Sequence, residues 1–224
     1  MKIFWESMKK YRVLWIFSII MLVLALVSVG ESGSRQTLVY NEALDEVIAT
    51  VQGEDITLRE FALYVAHQEA EVDEQARIYN PDNPNEYWGL HTNGKFVRAA
   101  AREAAISMAV HDELFYQLAQ EMEITFSEED YEILNNDVAD FWTDMTDDGK
   151  ETKLGVTEED IYNAMYKIAV AEKCQYIYER LHGYDKGDYD FSNEEYLEFL
   201  REYEYSIDEK TLERIDFGDV TLEN

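Results

Sequence analysis

Four helix-start signals, each heading an apolar stripe of helical spacing, constrain this chain more than any other feature. Thr57 with Glu60, Ser127 with Asp130 and Ser192 with Glu195 have capping-box spacing, and Thr157 stands ahead of Glu158, Glu159 and Asp160, where a helix dipole favours acids. Behind Thr57, the residues Leu58, Phe61, Ala62, Val65 and Ala66 predict a helix reaching about Tyr79. Asn80-Pro81-Asp82-Asn83-Pro84 stops it and holds both prolines of the chain. An Ala-rich stretch from about Lys95 to Glu123, with Phe96, Ala100, Ala104, Met108, Phe115, Leu118 and Met122 near helical period, predicts a central helix that neighbours can approach closely.

Behind Ser127, the stripe is Tyr131, Leu134, Val138, Phe141, Trp142 and Met145; behind Thr157, Ile161, Ala164, Ile168, Ala171, Cys174, Tyr178 and Leu181 face one way, with Gly183 as C-terminal cap. A short helix behind Ser192 carries Tyr196, Phe199, Leu200 and Tyr203. The expected fold is mainly α, a bundle of about five helices. A small hairpin precedes them, since Val47, Ile48 and Val51 read as a strand, Gln52-Gly53-Glu54 as a turn and Asp55-Ile56 as a return. A lone hairpin is marginal in water, so a third strand is expected, and the loose alternation in residues 211–217 nominates that segment.

The first thirty residues set the expected address. Residues 1–12 carry Lys2, Lys9, Lys10 and Arg12 against Glu6, and residues 13–29 carry no charge. A positive flank before an apolar run predicts a cytoplasmic N-terminus, a transmembrane helix over 13–29, a tether over 30–45 and an extracytoplasmic domain over 46–224. Small residues at Ser28-Val29-Gly30 offer the alternative of signal cleavage and secretion.

With 19 Lys and Arg against 48 Asp and Glu, the net charge is −29, which excludes nucleic acid as a partner because phosphate binding needs clustered bases. The single cysteine, Cys174, permits no intramolecular disulfide and reads as a small buried hydrophobe. Asp144 to Gly149 begins like an EF-hand loop, but the twelfth position is Gly155 rather than glutamate. The four histidines lack ligand spacing, and no GxSxG, P-loop or GxGxxG pattern occurs, so neither a cofactor, a metal nor a catalytic residue is expected. The aromatic load, 16 Tyr, 10 Phe and 4 Trp, does suit a surface that holds extended polypeptide without reading its sequence. Tyr64, Tyr87, Trp88, Phe96 and Trp142 are the candidate peptide-binding residues. Tyr87 and Trp88 equally suit stapling the proline loop to the core, and Trp142 suits core packing.

The strand, turn and "G-E-x-I-T-x-x-E-F" pattern (Gly53, Glu54, Ile56, Thr57, Glu60, Phe61) resembles the N-terminal chaperone region of SurA- and PrsA-type extracytoplasmic foldases, related in shape to the C-terminal domain of trigger factor. Ala119 to Asp130 is similar to that family's "A-x-x-x-G-I-x-V-S-D-E-E" junction, Phe191 to Tyr196 supplies its later capped segment, and the likeness spans about residues 46–205. Family members that isomerise prolyl bonds add a parvulin domain, for which residues 206–224 are too few. PrsA proteins anchor through a lipidated cysteine, and this chain has an apolar segment instead. The resemblance implies holding or folding assistance for unfolded or secreted polypeptides without isomerase activity, and the apolar segment 13–29 adds the expectation of a membrane anchor. The alternative is a non-catalytic module of an envelope assembly that grips one dedicated partner.

Overall fold

The computed structural model describes residues 37–92 and 94–222. The expected cytoplasmic stretch, the apolar segment 13–29 and residues 30–36 of the expected tether lie outside the described residues. Residues 37–45, also expected as tether, instead belong to the domain: Leu38, Tyr40 and Ala43 are buried, and the Tyr40 hydroxyl donates to the Leu58 carbonyl at 2.8 Å. Among the described residues no helix is long and apolar enough to cross a membrane.

Seven α-helices are described: α1 (Leu58–Tyr79), α2 (Val97–Glu121), α3 (Glu128–Asp147), α4 (Lys150–Leu154), α5 (Glu158–His182), α6 (Glu194–Leu200) and α7 (Glu209–Arg214). The mainly helical expectation holds, and α2 is its centre, packed against both α1 and α5. Ala101, Ala105 and Ala109 are buried along α2, where small side chains let the flanking helices come close, and Ile106, Leu114 and Phe115 fill the space between. Cys174 is buried in the same core, and burial pushes its thiol up to about 11, far from a reactive thiolate.

Two of the four start signals form complete capping boxes. Ser127 Oγ accepts the Asp130 N–H at 3.3 Å while the Ser127 N–H donates to the Asp130 carboxylate at 2.7 Å. Thr157 and Asp160 repeat this at 3.2 and 2.8 Å. Thr57 occupies its predicted cap position without a side-chain bond, and the Glu60 carboxylate, which would complete the box, instead accepts from Lys167 Nζ at 2.8 Å. The short helix starts one residue later than its Ser192 signal, with Asn193 at the cap.

The hairpin is β1 (Val47–Val51) and β2 (Glu54–Thr57), and a third strand, β5 (Tyr205–Ile207), does join it, giving the antiparallel order β2-β1-β5. That strand is not residues 211–217, and it sets Val51 opposite Tyr205 and Ala49 opposite Ile207. Asp208 takes the nominated segment into α7 by accepting the N–H groups of Lys210 and Thr211 at 3.0 and 3.3 Å. The apolar residues that suggested alternation, Leu212, Ile215 and Phe217, are all buried, two of them beyond or at the end of that one-turn helix. A further short pair, β3 (His91–Thr92) with β4 (Lys95–Phe96), makes the central helix begin at Val97 rather than Lys95.

Candidate functional site: the cleft between α3 and α5

Helix α3 turns Leu134, Val138 and Met145 inward, and this stripe seats it on the bundle beside α5. Ile133 lies off that stripe and is left 54% exposed; Tyr176, off the buried stripe of α5, is 46% exposed. Between the two helices opens a cleft of about 1050 Å³, with apolar lining from Phe126, Ile133, Leu134, Ala169 and Tyr176. This is a size that side chains of another polypeptide can enter.

The loop after α5 forms the third wall through Lys186, Gly187 and Asp190. Glu179, almost wholly buried, fixes it: one carboxylate oxygen accepts the N–H groups of Gly187 and Tyr189 at 3.1 and 3.2 Å and the Gln175 amide at 2.9 Å. The same Gln175 amide donates to Asp190 at 2.9 Å. His111 donates from Nε2 to the Tyr189 carbonyl at 3.0 Å, its Nδ1 lies 2.8 Å from Asp112, and Asp112 accepts the Tyr64 hydroxyl at 3.0 Å. A buried polar chain thus ties the wall to α1 and α2. At the other end, Lys173 bonds Asp130 at 2.6 Å and the Thr125 carbonyl at 3.0 Å, and stands 5.4 Å from the Phe126 ring.

Charge in the cleft is unbalanced, with Asp130, Asp137, Glu172, Glu179 and Asp190 facing only Lys173 and Lys186. The Glu172 carboxyl is raised above its ordinary range first by partial desolvation among its neighbours and then by the negative charges of Asp112 and Asp137, with His111 and Lys186 acting the other way.

None of the five sequence-predicted residues lines this cleft. Tyr64 and Trp88 are interior; Trp88 lies directly beneath Gly218, where a Cβ would come within 2.6 Å of its ring. Tyr87 is half-buried, donating to Gln75 at 3.3 Å with its ring 5.5 Å from that of Tyr79. Phe96 is exposed, edge-on to His91 at 5.1 Å, and Trp142 is half-buried against the core. The structure does not gather the five into one surface. The cleft residues Phe126, Ile133 and Tyr176 were not singled out, although a signal existed: Ile133 and Tyr176 are apolar residues set off the core stripes of facing helices.

A helical frame holds open a cleft of mixed apolar and acidic lining, with Glu179 committed to fixing its loop wall. The chain belongs to the SurA-like N-terminal domain family, whose description it matches over residues 1–138. That match takes in α1, α2 and the α3 wall as far as Val138; the α5 wall lies beyond it. No curated protein and no solved structure matches the chain.

Proposed function

We propose that this protein is a membrane-anchored, extracytoplasmic chaperone-like module that shelters apolar segments of unfolded or secreted polypeptides, without prolyl isomerase activity. The observation that carries the reading is the open cleft with Ile133 and Tyr176 exposed in its lining. Each client side chain buried there contributes about 1.5–3 kcal/mol, so one or two, less the cost of association, give weak and reversible binding. A holdase needs that reversibility. The anchor and its orientation are supported by the uncharged run 13–29 and its positive flank. The reading without isomerase activity is supported by the family match, which is to a SurA-like N-terminal domain.

The test uses the full-length chain in nanodiscs of zwitterionic lipid, mixed with a chemically denatured model protein and followed by light scattering. Scattering falls relative to empty nanodiscs, and the Ile133→Asp/Tyr176→Asp variant loses most of the effect while keeping its helical circular dichroism, since both side chains are exposed. Equal scattering with and without the protein refutes the reading.

A further inference from the structure

We propose that the cleft selects segments in which an apolar side chain is flanked by Lys or Arg, the cation lying between Asp137 of one wall and Glu172 of the other. This rests on the reading that the cleft receives extended polypeptide, and it names the kind of segment received.

Both walls repeat one arrangement. On α3, Ile133 stands between Asp130 and Asp137; on α5, Tyr176 stands between Glu172 and Glu179. Spacings of three and four residues place each set on a single helix face. Two of these four carboxylates are already committed, Asp130 to Lys173 and Ser127, and Glu179 to the loop wall. Asp137 and Glu172 have no hydrogen-bond or ion-pair partner among the described residues, one on each wall, and the negative charge of Asp137 opposes ionisation of Glu172. Lys186 in the loop wall acts against the raised Glu172 carboxyl, but among the described residues it closes no ion pair with Glu172 or Asp137. A guanidinium or ammonium from outside supplies the charge that the site lacks, and the neighbouring apolar side chain rests on Ile133 and Tyr176.

Dimensions agree with a short segment. From Ala169 to Glu179 the α5 wall is about 15 Å long at 1.5 Å per residue, enough for roughly four or five residues of extended chain. Lys and Arg have the reach to lay their stems along the lining while their heads stay at the rim.

Three fluorescent peptides of about eight residues, with identical apolar residues and with Lys, Ser or Glu at the intervening positions, separate the possibilities by anisotropy on the full-length chain in zwitterionic nanodiscs. The Lys peptide binds about tenfold more tightly than the Glu peptide, the Ser peptide falls between, and the preference shrinks as salt rises from about 50 to 500 mM. Asp137→Asn/Glu172→Gln brings the Lys peptide to within about twofold of the Ser peptide and leaves the Ser peptide unchanged. Equal binding of all three peptides overturns the selectivity while leaving the chaperone reading in place; binding of none overturns both.

Discussion

Glu69 has no exposed surface, yet its two oxygens accept four hydrogen bonds from the end of the described chain. One takes the N–H groups of Gly218 and Val220 at 2.6 and 3.2 Å, the other the Thr221 N–H at 2.7 Å and the Thr221 hydroxyl. Burial raises its carboxyl, and the bonds from Thr221, Gly218 and Val220 pull it back. Glu69→Gln relieves the buried charge but turns an amide donor toward backbone N–H groups that have nothing else to bond. The unmet donors outweigh the relief, and urea denaturation should show a loss of about 1–3 kcal/mol. Glu71→Gln on the same helix, with an exposed side chain, should stay within about 0.5 kcal/mol. No loss for Glu69→Gln would mean that this turn is not what closes the domain. The same turn explains Trp88. Gly218, at φ +95°, passes over its ring, a contact between positions 130 apart that no local pattern announces.

Elements were legible where their determinants are local. Both complete capping boxes have partners three residues apart, and α3 and α5 start where the sequence placed them. Thr57 marks its helix correctly, but Glu60 is drawn off by Lys167, a residue 107 positions away. The third strand was misplaced because alternation in residues 211–217 competes with an Asp208 cap that favours a helical turn, and the tertiary partner, β1, lies far back in sequence. The α3 cap also yields a pH dependence. Lys173 above all, then the Ser127 N–H and hydroxyl, hold the Asp130 carboxyl well below its ordinary 3.8. A depressed pKa means that the cap's contribution is complete above 3.8 and lost as pH falls through the lower, folded value. The Ser127 amide resonance should therefore hold its capped shift at pH 3.8 and move only in stronger acid. In Asp130→Asn the acid transition should be gone. A Ser127 transition centred at the ordinary carboxylate value would show that the cap adds nothing to the folded state.

At the scale of the molecule, the described chain closes on itself and holds a cleft between α3 and α5. The Leu38 N–H donates to the Arg214 carbonyl at 2.9 Å, β5 completes the sheet, and Glu69 secures the last turn. The helical class, the hairpin and the family were readable in the sequence, because periodicity and caps report burial one element at a time. The cleft was not, since it is defined by which faces of α3 and α5 fail to meet, and aromatic content pointed first to residues such as Tyr64 and Trp88 that serve the core. The central claim is that a client enters between α3 and α5. A photo-crosslinking residue placed singly at Ile133, at Tyr176 and, as control, at Glu54 on the β1–β2 hairpin tests this with the full-length chain and a denatured client. Adducts at Ile133 and Tyr176 with little at Glu54 are the predicted result; equal labelling at all three positions, or labelling at Glu54 alone, would contradict it.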